Sequence, residues 1–516
     1  MPPRTGAPRV MLIGLDLGDG PLLRRWAESG ELPHLQRLMR QGTAAELGTT
    51  AEWLHVSAWP TLYTGAPVGH HGVYYTFQPA PGLQGYRRFA PDQYGVPTMW
   101  RLLGDAGVRC TVFDAPYTHP ERGEHVTQIF DWGTWAHYFK PASNPPELLR
   151  RLTRACGAYP LGLEAHDLGL AAQDAQGMQP RLLRSVRAKT DAILWLMRER
   201  PWDCFVAVYG ETHPGAHYCW DPARNADQQR LRELYRELDT GIGRIASALP
   251  DDTTMLIVTG DRIAPNHSGW HLLPDLLRRT GMLAEPAPDA PTAAGGADAP
   301  PPRAGFDPVR ALRDLLPKDF RKSLARRLPT ALRDRLARRV DTAAIDWSRT
   351  RAYLLPTDLE GCVRINLAGR EPHGIVQPGA EYDAVCDELC AALTELVNPA
   401  TGARAVREVI RADDRFAGPR RDYLPDLVVL WSDEAPITAL DSPRVGHCAA
   451  PSPDGRPGTH AAPGFLIASG AAAAGASLDG AHVRDIAPTI LSLYGVERPN
   501  YMDGATLLQP LTSRIA

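Results

Sequence analysis

No apolar run in the chain approaches the ~20 residues that span a bilayer. Its eight cysteines contain no C-x-x-C pair, and the formal net charge is only -3 over 516 residues. Each absence excludes something. The sequence offers no membrane span, and the segment Met1–Arg9 runs straight into an expected strand without the hydrophobic centre of a signal peptide. Ala471–Ala476 reads as a small-residue loop. Scattered cysteines in so long a chain argue against a disulfide framework and for reduced thiols, so a cytoplasmic protein is expected. Near-neutral charge leaves no electrostatic footprint for nucleic acid or an anionic membrane. The expected partner is a small-molecule substrate, and no pattern bears on oligomeric state. There is no internal repeat.

What is present is an ordinary globular composition, 44% hydrophobic and 22% charged, long enough to bury a large core. Short apolar runs alternate with amphipathic stretches. A strand is expected at 9–15, then helices at Pro21–Gly30 and Pro33–Gly42, which share an apolar face of Leu22, Leu23, Trp26, Leu35, Leu38 and Met39. Pro33 suits a first helical turn and Gly42 a helix end. Helix–strand units follow at Thr98–Ala106 and Arg109–Phe113. The pattern then predicts helix Gln179–Arg198, strand 204–209, helix 226–248, strand 254–259 and helix 272–280. After a break come helix Glu381–Val397, strands Asp426–Trp431 and Phe465–Ala468, and helix Val483–Tyr494. Strands alternating with helices on both sides of an interruption predict an α/β fold with one doubly wound, mixed sheet between helices.

The expected organisation is a first part of the core at 1–115, an inserted cap or lid at 116–180, and core again at 181–282. A linker with a basic helical insertion is expected at 283–344, and completion of the core at 345–516. Residues 283–303 are nearly all Ala, Pro, Gly and Asp, which cannot bury enough apolar surface to order themselves. Arg310–Arg339 carries leucines at helical spacing among arginines. It suits a helical hairpin with a solvated basic face better than a docking surface for acids or lipid.

The chemistry-bearing residues stand at the ends of the apolar runs. Val10-Met-Leu-Ile-Gly-Leu leads into Asp16, and Cys204-Phe-Val-Ala-Val-Tyr leads into Gly210-Glu-Thr-His213-Pro-Gly-Ala-His217. Met255-Leu-Ile-Val-Thr leads into Gly260-Asp261-Arg262, and His460 directly precedes Ala461-Ala-Pro-Gly-Phe-Leu-Ile-Ala468. Ligands of open α/β sheets gather at the carboxyl edge of the strands, so these residues read as a site. A His-x-x-x-His pair alone is weak evidence for a metal. Joined by Asp16, Asp261 and His460, each beside a strand, it favours a metal centre over satisfied surface histidines.

The wording around these residues goes further. Gly14-Leu-Asp16, Leu32-Pro-His-Leu, Ser57-Ala-Trp-Pro-Thr-Leu-Tyr-Thr-Gly65, His71-Gly72, His271-Leu-Leu-Pro, Gly458-Thr-His460 and Asp485-Ile-Ala-Pro-Thr-Ile-Leu491 follow in order. So do Asp346-Trp-Ser-Arg-Thr-Arg-Ala-Tyr353 and Arg364-Ile-Asn-Leu-Ala-Gly-Arg-Glu-Pro-His-Gly-Ile-Val376. From about Val10 to Gly504 the chain resembles the type I phosphodiesterase/nucleotide pyrophosphatase-like branch of the alkaline phosphatase superfamily. The resemblance implies a two-metal phosphoester or sulfoester hydrolase. One ion would be held by His213, His217 and His460, with His213 where the family has Asp. That more neutral, softer set favours Zn²⁺ over Mg²⁺. The second site would take Asp16, Asp261, the next residue and the nucleophile's oxygen.

The second site departs from the family pattern. Arg262 stands where the family has His, and His55 stands in the nucleophile slot, nine residues before Thr64. Two repairs are open. Arg262 could replace the second ion's charge, pairing with Asp16 and Asp261 and binding an oxyanion with its planar fork, leaving one zinc. Alternatively His55 could join Asp16 and Asp261 around a second ion. A guanidinium among metal ligands favours the first. Attack could come from His55, from Ser57 or from zinc-bound water. Besides hydrolysis, the altered site suits a transferase, lyase or cyclase acting on a specialised metabolite, or a binding-only relative. Glu211 is placed to orient a ligand imidazole or to face solvent. Trp59, Trp220 and Tyr74–Tyr75 suit a substrate pocket or, more commonly, the core, and His70 and His271 read as structural.

Overall fold

The computed structural model describes residues 8–89, 94–118, 121, 123–133, 141–161, 175–221, 228–286, 345–453 and 455–510. The expected linker from 287 onward and the basic Arg310–Arg339 stretch lie outside them.

The apolar runs of the sequence form the middle of an eight-stranded sheet. Its order is 43–47, 464–469, 253–259, 9–15, 204–209, 110–113, 126–130 and 142–144. The five central strands are mutually parallel. Antiparallel strands close both sides, 464–469 and 43–47 at one and 142–144 at the other. The central strands Val10–Leu15, Cys204–Tyr209 and Thr253–Thr259 are buried throughout, because helices cover both faces of a parallel sheet and alternation has no polar side to show.

On one face pack helices Gly20–Glu28, Pro33–Gln41, Leu148–Cys156, Ala175–Glu199 and Gln229–Ala248, around Ile13, Trp26, Phe205 and Tyr235. On the other lie helices Ala58–Thr64, Met99–Asp105 and Ile486–Leu493, around Leu12, Trp59, Trp100 and Val206. The expected doubly wound mixed sheet between helices is the observed architecture. Among the described residues no helix is long and apolar enough to cross a membrane.

Two segments differ from the expected organisation. Val126–Phe130 and Ala142–Asn144, inside the span read as a cap, belong to the central sheet. Buried Gln128 interrupts the apolar pattern there, and its amide is satisfied by Glu121 N at 3.0 Å and Thr118 Oγ1 at 3.2 Å. Residues 345–453 do not complete the main core. Ala352–Leu354, Gly361–Ile365, Leu427–Trp431 and Val406–Arg411 form a separate antiparallel four-stranded sheet. With helices Ala380–Thr394 and Leu273–Arg279 this sheet encloses a core of its own. The chain rejoins the main sheet only at Gly464–Ser469, and the loop 355–360 of the smaller sheet reaches the site described next.

Gly14 has a packing reason. A Cβ there would lie 2.6 Å from Trp59 Cη2, so only glycine lets the indole cross the strand. Gly14→Ala is expected to cost about 1–3 kcal/mol by overpacking, read as a lowered thermal midpoint.

Candidate functional site

Five of the expected edge residues, Asp16, His213, His217, Asp261 and His460, converge where the strands end. Asp16 follows strand Arg9–Leu15 and Asp261 follows Thr253–Thr259. After Cys204–Tyr209 the chain turns through Thr212–Pro214 into a wide helical turn, Gly215–Cys219, which brings His213 and His217 together. His460 comes from the short strand Gly458–Ala461, held opposite Ile263 in an antiparallel pair. Ring centroids of His213 and His217 are 4.5 Å apart, those of His213 and His460 4.9 Å, and those of His217 and His460 5.1 Å. A ligand atom from each lies within 4.8 Å of the others, and all three are buried. Among the described residues no other group of three His, Cys, Asp or Glu side chains meets that condition.

The hydrogen bonds behind the rings decide what the rings can do. His213 Nδ1 donates to Asp16 Oδ2 at 3.0 Å, His217 Nδ1 to the Gly458 carbonyl at 2.8 Å, and His460 Nδ1 to Asp261 Oδ2 at 2.5 Å. A carbonyl or ionised carboxylate can only accept, so each ring carries its proton on Nδ1 and presents a bare Nε2 lone pair. The Nε2 atoms of His213 and His217 face each other at 2.9 Å. Two lone pairs at that distance repel unless a proton or cation lies between them. Burial, with the neighbouring cations, also holds both rings well below the usual imidazole range, so they are neutral bases. Acceptors behind ligating imidazoles are the usual support of a metal site. The donor set therefore fits a borderline-soft divalent ion such as zinc.

Asp16 and Asp261 reach the site as the acceptors behind two of these imidazoles. Asp16 also accepts from Trp59 Nε1 at 2.8 Å. Burial raises its carboxyl to about 6, against the opposing bond from Trp59. Burial likewise raises Asp261, and its Oδ1 is buried with no hydrogen-bond partner.

His55 lies beside them, its ring 4.5 Å from that of His460. Its Nδ1 donates to Glu360 Oε2 at 2.9 Å, and its backbone N–H to Glu360 Oε1 at 2.7 Å. Its Nε2 is 3.3 Å from Asp358 Oδ1. Burial alone would depress this imidazole, but Glu360 and Asp358 outweigh it and raise the group to about 10. In the metal-free protein His55 is thus an imidazolium held by two carboxylates. Arg456 completes the cluster. It donates from Nη1 to Asp358 Oδ2 and from Nη2 to the Asp358 carbonyl, both at 3.0 Å. Its Nη1 is 3.5 Å from His217 Nε2. Burial opposes ionisation of Asp358, but Arg456 and His55 pull its carboxyl well below the usual range.

Other expected residues sit differently. The Arg262 guanidinium turns to backbone carbonyls, Nε to Ala462 O at 2.7 Å and Nη1 to Ile263 O at 3.3 Å. The expected pairing with Asp16 and Asp261 is not made, because Arg262 lies across from Ala461 in its own two-stranded ribbon. Ser57 is fully buried, its hydroxyl donating to Leu54 O at 2.6 Å and lying 2.8 Å from Thr50 Oγ1. Glu211 accepts from the Tyr159 hydroxyl at 2.8 Å, away from the ligand imidazoles. Trp59 reaches Asp16, whereas Trp220 and Tyr74 belong to apolar cores. Tyr75 stands edge-on to His55 at 6.0 Å. His271 bonds the Ala450 carbonyl at 3.1 Å.

Asp358, Glu360 and Arg456 escaped the sequence reading. The first two end a loop just before an apolar strand, the same placement that singled out His460. Arg456 precedes His460 by four residues in a Pro/Gly-rich stretch, where no periodicity marks it.

Residues 10–460 match the type I phosphodiesterase / nucleotide pyrophosphatase family. No curated protein matches the chain. Among solved structures, phosphonoacetate hydrolase from Sinorhizobium meliloti 1021, in complex with phosphonoacetate, aligns at TM-score 0.52 and 13% identity. That alignment covers 93% of this chain and 94% of that one. Murine ectonucleotide pyrophosphatase / phosphodiesterase 5 aligns at TM-score 0.47 and 11% identity, over 97% of this chain and 100% of that one.

Proposed function

Because the chain belongs to the type I phosphodiesterase/nucleotide pyrophosphatase family of the alkaline phosphatase superfamily, and so to a group of phosphoester hydrolases, we propose that it hydrolyses a small-molecule phosphoester with one zinc ion. A diester, a monoester or a related oxyanion ester would fit. The observation that carries this reading is the triple of imidazoles, each with an acceptor on Nδ1 and with Nε2 turned inward. Zinc held by His213, His217 and His460 would supply Lewis acidity to a substrate oxygen.

The remaining work falls to the chain's own groups. Asp16, the Gly458 carbonyl and Asp261 fix the ring orientations. Arg456, immobilised by Asp358, sets a permanent positive charge beside the imidazoles, where negative charge grows on the ester oxygens. It takes the part expected of Arg262. His55 is the proton donor. Glu360 anchors its Nδ1, and the longer Nε2 contact to Asp358 is the one a leaving-group oxygen can replace. A water oxygen bonds to phosphorus, the bond to the leaving oxygen breaks, the His55 Nε2 proton passes to that oxygen, and one proton of the attacking water returns to His55, so that one water is consumed per ester. Buried Ser57 takes no part. With both Asp16 oxygens bonded, to Trp59 and His213, and two fixed cations nearby, the surroundings favour one ion over two. The smaller sheet at 345–453 serves as the cap, since it supplies Asp358 and Glu360. All eight cysteines are unpaired, which suits a cytoplasmic protein.

Elemental analysis should find one zinc per chain. A panel of phosphodiesters, phosphomonoesters and sulfate esters should show turnover that a chelator removes and zinc restores, with oxygen from labelled water in the product. Turnover that survives complete zinc removal would overthrow the mechanism. Product without the label would mean transfer or elimination instead of hydrolysis.

A further inference from the structure

Five neighbouring strands run out into an acid at the same edge: Asp261, Asp16, Glu211, Asp114 and Asp131, in sheet order. The first two orient imidazoles. Into the gap between Glu211 and Asp114 reaches Lys189 from helix Ala175–Glu199, with no solvent exposure. Its ammonium is 3.1 Å from Asp114 Oδ2 and 3.6 Å from Glu211 Oε1. It donates to the Gly133 carbonyl at 2.6 Å and the Val208 carbonyl at 3.1 Å. Tyr159, whose ring centroid lies 5.6 Å away, donates to Glu211 Oε1. We propose that Lys189 is a positioning residue for the three-imidazole centre, acting through Glu211, which stands two residues before His213.

The route is short and wholly buried. Glu211 and Thr212 form the turn between strand Cys204–Tyr209 and the histidine pair. The Thr212 hydroxyl donates to Asp16 O at 2.6 Å, so this turn carries both His213 and the backbone of the aspartate that orients it. Removing one partner of a buried ion pair leaves the other uncompensated. Without Lys189, the buried Glu211 carboxylate loses its cation and keeps the Tyr159 hydroxyl. The Gly210–Thr212 turn, of which Glu211 is part, then loses the ion pair that ties it to helix Ala175–Glu199. Asp114 shows the same edge under tension. It holds a left-handed backbone at φ 53°, fixed by Trp132 N–H and Gly133 N–H donating to its carboxylate at 2.9 and 2.8 Å.

The inference rests on the zinc reading above, and its test separates the two. Zinc affinity of the whole chain is measured by competition with a chromophoric chelator, alongside circular dichroism and a thermal melt, for wild type, Lys189→Met, Glu211→Gln and the double variant. Losing a group bonded to a metal ligand typically weakens binding by about 10–100-fold; Lys189 touches no ligand imidazole, so a smaller, several-fold loss is expected for Lys189→Met. A several-fold loss is expected for Glu211→Gln, and the double variant should bind no worse than Lys189→Met. Should Lys189→Met not fold, Glu211→Gln decides alone. Undiminished affinity in either folded single variant would overturn the inference, as would losses that multiply in the double variant. A wild type without zinc would bring down the functional reading and this inference together.

Discussion

Replacing His217 with alanine is expected to remove zinc from the purified protein and to lower turnover by more than about 100-fold. That exceeds the usual penalty for disturbing a group merely behind a ligand. The prediction follows from the burial of the ring and from its Nδ1 bond to a backbone carbonyl, which no other side chain can take over. His217→Ala leaves a small cavity in the helical turn Gly215–Cys219, so folding should survive. Zinc stoichiometry and turnover, measured on the same preparation, check it. Retained zinc with lost turnover would mean that His217 acts on substrate and does not hold the ion.

His55 carries the second large effect. His55→Ala should cost about 10²–10⁴-fold in turnover, the usual share of a positioned proton donor, while zinc remains bound. Glu360→Gln should cost less, because Asp358 still faces the ring. The pH dependence has a definite sign. A histidine raised from its ordinary 6.5 to about 10 in the folded protein contributes stability that is fully present below about pH 6.5. That stability is lost as pH climbs toward 10. In zinc-free protein, chemical denaturation across this window should show stability falling more steeply for wild type than for Glu360→Gln. In zinc-loaded protein the alkaline limb of activity should move to lower pH in Glu360→Gln, since less charge then holds the proton. Parallel stability curves for the two proteins would remove His55 from the role of paired cation.

Much of this was legible in the sequence because apolar runs and helical spacing are local signals. Cys204–Tyr209 was expected at the observed bounds, and Thr253–Thr259 and Gly464–Ser469 within one residue. Each of the three histidines was tied to such a strand, so their convergence followed from placing the strands in one sheet. Most of what escaped was non-local. Val126–Phe130 carries a buried glutamine bonded to the segment that precedes the strand, so its apolar pattern reads as irregular. Arg262 was assigned to the site by its neighbour in sequence, yet pairing with Ala461 sends its guanidinium to carbonyl groups. The positive charge came instead from Arg456, and the carboxylates around His55 came from a loop some 300 residues away along the chain. No spacing rule connects such positions, because loop closure over that distance is settled by the fold of the smaller sheet.

The most direct test is diffraction from crystals of the zinc-loaded protein on both sides of the zinc absorption edge. One anomalous peak is predicted, with Nε2 of His213, His217 and His460 at about 2.0–2.1 Å from it, and with Asp16 and Asp261 still bonded behind their rings. No peak among the three imidazoles, or a second ion held directly by Asp16, Asp261 and His55, would contradict the account.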